Sequence, residues 1–237
     1  MFQQQCGSLA LALMMAVSVL TLSVEPAAEA HVEDYRAAAT VQLTGSSSPK
    51  PCLDRAYELS GFRQTRVLNW SFQAKSTPAG LKRAAAAATI QRAFANIVNA
   101  RNDCGRKDRS APSASYLGTT GHGTSCTVMD GRNVVGFKRL PTMTLAQACM
   151  WVLGDSIVEV DIQINSRLPW ATSLASCRKA YMLEAVVTHE VGHAFGLGHV
   201  SEARHGRLTM STHNDGMCIN TESRLGLGDL LALEALY

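Results

Sequence analysis

The stretch from His189 to His199 reads HEVGHAFGLGH, and it places three of the chain's seven histidines within one short segment. The surrounding residues Tyr181–Phe195 have apolar side chains at helical spacing, which predicts a helix. On a helix His189 and His193 are one turn apart, so both rings project from the same face. Two imidazoles placed in this way can bind one metal ion, typically zinc. The simpler alternative is an ordinary helix with histidines clustered by chance.

Two glycines and a third histidine end the segment. Gly196 can adopt the positive φ that ends a helix and reverses the chain, and Gly198 adds further freedom. His199 can therefore approach the same ion from outside the helix. Three neutral imidazoles leave one coordination position open, which is typical of a catalytic zinc site. Glu190 is offset from the histidine pair, so we expect it to accept a proton from water at the metal rather than to ligate.

The complete pattern is specific. With this chain's content of histidine, glutamate and glycine, His-Glu-x-x-His-x-x-Gly-x-x-His would arise by chance in roughly two of every 100,000 such sequences. The other histidines lie at the predicted mature terminus or in polar loops. We expect these to be solvated rather than ligating: His31, His122, His205 and His213.

The composition excludes several classes of function. Charged residues make up 17% and hydrophobic residues 46% of the 237 residues, which excludes a disordered chain. The net charge is only +3, and lysine and arginine form no block. We therefore expect no nucleic-acid partner. The length is sufficient for a sizeable hydrophobic core.

Residues 1–30 have the pattern of a secretory signal peptide. Residues 9–24 (LALALMMAVSVLTLSV) carry no charge, and Ala28-Glu29-Ala30 fits the small-residue pattern before a cleavage site. This apolar run is short for a transmembrane helix, so an uncleaved membrane anchor is the alternative that we favour less. We predict a secreted, extracellular protein that begins at His31 and has no stable membrane association.

Export gives the cysteines a structural role. Cys6 lies in the predicted signal, and the remaining six are an even number, which favours three disulfides. No pair has the C-x-x-C spacing of a structural zinc site. Six cysteines allow fifteen connectivities. Among the possible pairs we favour Cys104–Cys126, which would close the loop after the first long helix.

Strand and helix patterns continue along the chain. Arg66–Phe72, Ser115–Leu117, Val134–Phe137 and Ile157–Ile164 are predicted strands. Ser76-Thr77-Pro78 is typical of a helix start, and the helix that follows is predicted to run to about residue 100. Its predicted apolar face comprises Leu81, Ala84, Ala88, Ile90, Phe94, Ile97 and Val98. The class is therefore α+β or mixed α/β.

The histidine segment resembles the metzincin signature, H-E-x-x-H-x-x-G-x-x-H followed by a Met-turn. Downstream, RLTMS places Met210 where that family has a methionine forming an apolar floor beneath the zinc. The C-terminal LGLGDLLALEALY, with Asp229 near its start, resembles the closing helix of matrixins. RVLNWSF and VEVDIQIN resemble matrixin strands, so the resemblance covers about residues 67–237. The cysteines and CLDRAYELSG resemble secreted microbial matrixins more than animal collagenases. The resemblance implies a metzincin-like α+β catalytic domain, a mixed sheet with two long helices and a C-terminal helix.

The sequence departs from animal matrixins in three places. The cysteine-switch propeptide PRCGxPD is missing, and PKPCLD at residues 49–54 resembles it only weakly. If Cys52 bound the zinc, an odd number of cysteines would remain, so we favour Cys52 in a disulfide. Only about fifteen residues separate Asn165 from Ala180, which leaves little room for structural zinc and calcium loops, so Ca²⁺ is unsupported. Ser211-Thr212-His213 replaces the Pro-x-Tyr that shapes the family's specificity pocket, so substrate preference does not carry over.

The resemblance implies a zinc-dependent endopeptidase acting on protein or peptide substrates. His189, His193 and His199 would bind one catalytic Zn²⁺, and Glu190 would be the general base. One alternative is a secreted disulfide-bonded module that binds zinc without turnover, against which the intact Glu190 argues; another is a hydrolase of non-peptide amides. We expect a monomer with a signal peptide (residues 1–30), a mobile lead-in or short prosegment (31–51) and a matrixin-like protease domain (52–237).

Overall fold

The computed structural model describes residues 31–38, 48–212, 214 and 216–237. The predicted signal peptide lies outside these ranges. The described strands are β1 His31–Ala38, β2 Arg63–Gln64, β3 Leu68–Phe72, β4 Ala114–Thr119, β5 Asn133–Lys138, β6 Thr144–Leu153, β7 Ser156–Asn165, β8 Trp170–Ala171 and β9 Tyr181–Met182. The described α-helices are α1 Arg83–Val98, α2 Leu183–Ala194, α3 Glu202–His205 and α4 Leu227–Leu236.

One mixed sheet forms the centre of the fold. Its strand order is β1-β6-β7-β5-β3-β4, and the short β2 also pairs with β7. The strands β3, β4, β5 and β7 run parallel to one another, whereas β6 is antiparallel to both β7 and β1. A parallel pair requires a crossover connection, and α1 supplies it between β3 and β4. The predicted α+β class with a mixed sheet is confirmed.

The two longest helices, α1 and α2, pack against each other and against the sheet, and the main hydrophobic core lies between these layers. Trp70 of β3 stacks on Phe94 of α1, with the ring centroids 4.0 Å apart. Between the helices, Arg92 forms an ion pair with Glu184, with Nε and Oε2 3.0 Å apart. Helix α2, which carries the first two histidines of the motif, is therefore held from two sides.

The first long helix begins later than predicted. The hydroxyls of Ser76 and Thr77 donate to the carbonyls of Gln73 and Ala74, which closes a short 3₁₀ turn instead of capping a longer helix. The ordered α-helix starts at Arg83. The predicted apolar face is wrong at two positions, because Ala84 and Ala88 are exposed while Ala86 and Ala93 are buried.

Two long strands were not predicted from the sequence. β6 is buried on both faces over nine of its ten residues, so it lacks the alternation that reveals a half-buried strand. β1 lies in the segment for which a lead-in was expected, and it pairs along its whole length with β6. Together they extend the sheet beyond β7.

Three disulfides link the described residues, and they join Cys52 to Cys104, Cys126 to Cys149 and Cys177 to Cys218. The predicted number and the assignment of Cys52 to a disulfide are confirmed. The predicted Cys104–Cys126 pair is wrong. Asp161 accepts the backbone amide of Ser125 at 2.6 Å, which holds the neighbouring Cys126 against the sheet beside β6 and away from the end of α1.

Three disulfides are typical of an extracellular protein. In the described part of the chain, no helix is both long enough and apolar enough to cross a membrane.

Residues 48–62, which we call the N-terminal strap, run along the loop after α2 and the start of α4. The carbonyl of Glu58 accepts the amide of Gly198 at 2.9 Å, and the carbonyl of Pro51 accepts the amide of Leu227 at 2.8 Å. Close approach at these points requires glycine. A Cβ at Gly228 would overlap the carbonyl oxygen of Ala56, and Gly196 is similarly close to the carbonyl of Phe62.

Candidate metal centre

Helix α2 places His189 and His193 on one face, one turn apart, as the sequence predicts. Their Nε2 atoms are 3.0 Å apart and both side chains are buried. The helix packs inward through Val187 and Val191, both fully buried. The histidine rings therefore have a fixed orientation relative to the core.

The turn at Gly196 brings in the third histidine. The amide of Gly196 donates to the carbonyl of His193 and the amide of Leu197 to that of Gly192, which ends the helix. Gly196 has a φ of +91°, a conformation that glycine adopts without strain. After the turn, the Nε2 atom of His199 lies 3.1 Å from that of His189 and 2.9 Å from that of His193.

Backbone carbonyls fix the proton positions on the first two rings. The Nδ1–H of His189 donates to the carbonyl of Thr209 at 2.7 Å, and the Nδ1–H of His193 donates to that of Leu197 at 2.8 Å. A neutral ring with its proton on Nδ1 presents a lone pair at Nε2. Both lone pairs therefore point toward the same place.

The three rings are electrostatically suited to a cation. Burial lowers the pKa of His189 to about 3, and burial also lowers the pKa of His193 and of His199 below the usual 6.5. All three rings are thus neutral at physiological pH. Lone pairs that face each other at about 3 Å repel unless a cation lies between them. Histidine nitrogens bind zinc at about 2.0–2.1 Å, and three nitrogens with this spacing can all reach one ion at that distance. The donor set therefore fits a zinc ion.

Met210 lies directly beneath the histidine helix. It is 2% exposed, and its sulfur packs against Gly192, where any Cβ would overlap it. The amide of Val200 donates to the carbonyl of Met210 at 3.0 Å, so the turn is tied to the segment that follows His199. The position agrees with the apolar floor that the RLTMS segment predicts.

Asp229, near the start of α4, holds this methionine turn in place. Its carboxylate accepts backbone N–H groups from Gly226 at 2.8 Å, from Thr209 at 3.0 Å and from Met210 at 3.2 Å. Burial raises the pKa of Asp229 to about 6, so the carboxylate is largely ionised at pH 7. Since the carbonyl of Thr209 orients His189, Asp229 acts on the histidine cluster through the turn.

We expect Asp229→Asn to weaken zinc binding by about 10- to 100-fold, as is typical when a group that orients a metal ligand is removed. Asparagine has a single acceptor oxygen, so it cannot replace both carboxylate oxygens, and the carbonyl of Thr209 would shift away from His189. Competition with a chromophoric chelator measures the affinity. Glu234→Gln, a partly buried carboxylate on the same helix, should retain wild-type affinity. Equal affinity in all three proteins would mean that the turn keeps its position without Asp229.

A narrow cavity opens beside the first histidine. It is lined by Leu145 of β6, Val186 and His189 of α2, and Thr209, Ser211 and Asn214 of the segment around the methionine turn. Strand β6 and the metal centre therefore border the same space. An extended chain that bound along the Leu145 end of β6 would border this cavity.

Glu190 follows His189 on α2, and its side chain is fully buried.

Two other histidines, both predicted to be solvated, lie outside the cluster. His205 pairs through Nδ1 with the buried Asp54 at 3.0 Å, which corrects the expectation that it is solvated, and His122 is exposed. His213 lies outside the described residues.

Some contributions to the centre were not predicted. The carbonyls of Leu197 and Thr209 orient two histidines. Every residue has a backbone carbonyl, so a sequence does not indicate which one will accept a hydrogen bond from a histidine. Asp229 was recognised only as a residue near a helix start. Its contacts with the methionine turn join residues about twenty positions apart, and no local pattern indicates such a contact.

Comparison with known proteins finds a family match in the C-terminal half of the chain. The family described as Matrixin matches residues 122–237, a range that includes the three clustered histidines, Glu190 and Met210. A search of curated proteins finds no match to the chain.

Proposed function

We propose, from the premise that residues 122–237 belong to the matrixin family, that this protein is a secreted zinc-dependent endopeptidase. The family supports a metallopeptidase acting on peptide or protein substrates. The observation that carries the proposal for this chain is the cluster of His189, His193 and His199, whose neutral ring nitrogens lie within 3.1 Å of one another.

The three histidines would hold the zinc ion, and two of them are oriented by backbone carbonyls. A zinc ion bound there would supply Lewis-acid activation of a water molecule and of the scissile carbonyl. Glu190 would accept the proton of the attacking water and deliver it to the leaving amine. Its place one residue after a proposed ligand, on the buried helix α2, supports this assignment.

The remaining parts of the proposal concern the chain as a whole. We propose that residues 1–30 are removed on export, that residues 52–237 form the protease domain and that the protein acts as an extracellular monomer. The three disulfides support export. The narrow cavity beside His189 is lined in part by Ser211, which stands where animal matrixins have the Pro-x-Tyr wall.

Zinc-dependent peptide hydrolysis tests the function. Protein produced in an oxidising compartment should bind about one zinc per chain and cleave casein or a peptide library. A chelator should abolish the cleavage, and added zinc should restore it. Zinc bound without cleavage of any peptide would favour a binding module. Failure to bind zinc would reject the metal site itself.

A further inference from the structure

Strand β1 occupies the outer edge of strand β6. The two strands pair antiparallel from His31 opposite Val152 to Ala38 opposite Thr144. β1 also contacts α2, the helix that carries His189 and His193. A segment close to the start of the predicted mature chain therefore lies against the two elements that border the metal centre.

Addition of an extended segment to the edge of a sheet is a general way in which proteins bind peptides. Backbone hydrogen bonds along the ladder provide affinity without requiring a particular side chain. β6 is the strand whose Leu145 lines the cavity beside His189. A peptide substrate of the proposed protease could use this edge, and β1 already fills it.

The ladder between β1 and β6 is irregular at one point. Ala37 pairs with Ala146, but the next residue, Ala38, pairs with Thr144. Leu145 therefore has no partner in β1, and the Ala37–Ala38 peptide bond lies opposite it. Leu145 and His189 line one cavity, so this bond lies opposite the β6 residue that borders the space beside His189.

We propose that His31–Ala38 is an autoinhibitory strand bound in the manner of a substrate, and that the Ala37–Ala38 bond is a self-cleavage site. The inference rests on the proposed peptidase function. Water adds across the peptide bond: its hydroxyl joins the carbonyl carbon of Ala37, the C–N bond breaks, and the proton passes to the nitrogen of Ala38. The products are a peptide ending at Ala37 and a protease beginning at Ala38.

The tether explains both inhibition and release. Ser48, ten positions after Ala38, lies in the N-terminal strap, which the Cys52–Cys104 disulfide fixes to the domain. A segment joined to its own binding site by so short a stretch has an effective concentration in about the millimolar range, so it competes well with substrates in solution. Cleavage at Ala37–Ala38 removes this advantage. The released peptide can then diffuse away and leave β6 open.

Processing can be followed on the exported full-length protein. It is purified with a chelator, and zinc is then added while intact mass and N-terminal sequence are recorded. We expect a new N-terminus at Ala38, a first-order rate independent of protein concentration, and hydrolysis of an added peptide that rises with the same lag. Glu190→Gln should keep its original N-terminus, and a chain lacking residues 31–37 should hydrolyse the peptide without a lag.

A pair of variants isolates the bond. Ala38→Pro removes the N–H at the leaving nitrogen and should block processing, which leaves hydrolysis of the added peptide at least about tenfold lower than in the processed protein. Ala38→Ser keeps the N–H and should be processed like the wild type. A cut at another bond, a rate that rises with protein concentration, or full peptide hydrolysis with residues 31–37 intact would each overturn the proposal. Hydrolysis of no peptide by the zinc-loaded chain lacking residues 31–37 would instead reject the peptidase function.

Discussion

Replacement of Glu190 by glutamine should reduce kcat/KM for peptide hydrolysis by at least about 100-fold while zinc content and thermal stability stay close to the wild-type values. Glutamine has nearly the same size as glutamate and can still form hydrogen bonds, but it cannot accept the proton of the attacking water. The side chain is fully buried, and an amide of the same shape fills the same space, so the packing of α2 should not change. Steady-state kinetics on a cleaved peptide, together with elemental analysis, measure both quantities.

Glu184→Gln is the matched control for this experiment. It removes another carboxylate from the same helix, and it weakens the ion pair with Arg92. Some stability should be lost, but the peptidase activity of the folded protein should remain. If Glu190→Gln is as active as the wild type, Glu190 is not the general base.

Replacement of His193 by alanine should abolish both zinc binding and hydrolysis. The ring is completely buried, and its Nε2 atom lies within 3.0 Å of the other two ring nitrogens. Removing it leaves two protein ligands, fewer than the three that catalytic zinc sites typically have. It also leaves a buried space and deprives the carbonyl of Leu197 of its donor, so stability of the metal-free protein should fall by about 1–3 kcal/mol.

The comparison is made with His122→Ala, which removes an exposed histidine from a loop distant from the cluster in sequence. That protein should bind about one zinc per chain and hydrolyse peptides at the wild-type rate. Zinc retained at full stoichiometry and affinity by His193→Ala would mean that the ion is held by a different set of residues.

The histidine cluster was predictable because its three members are close together in the sequence. Helical spacing places His189 and His193 on one face, and the glycine turn brings His199 back, so eleven consecutive residues encode most of the geometry. The pairing of Cys52 with Cys104 was not predictable in the same way, since it depends on how the N-terminal strap lies against the end of α1. Strand β6 was missed for a third reason: burial on both faces removes the period-two pattern by which a strand is recognised.

Within α1 the sequence indicated a helix correctly but not which alanines face the core. In a run of five alanines every helical face has the same composition, so the buried face is determined by partners elsewhere in the fold. Ala86 and Ala93 are buried in the main core, whereas Ala84 and Ala88 are exposed. Side chains with more distinct chemistry, such as Phe94, were placed correctly.

The glycine contacts of the N-terminal strap have a consequence for the order in which the protein folds. The segment carrying His199 is covered by residues near the start of the described chain, while its methionine turn is anchored by Asp229 in the last helix. Helix α4 comes after α2 in the chain, so a ribosome releases it only after α2 has emerged. Contacts between parts so distant in sequence form slowly because the intervening chain must first be ordered. The cluster is therefore not fully assembled until α4 has been synthesised, and the proposed hydrolysis would be confined to molecules in which α4 already contacts the N-terminal strap.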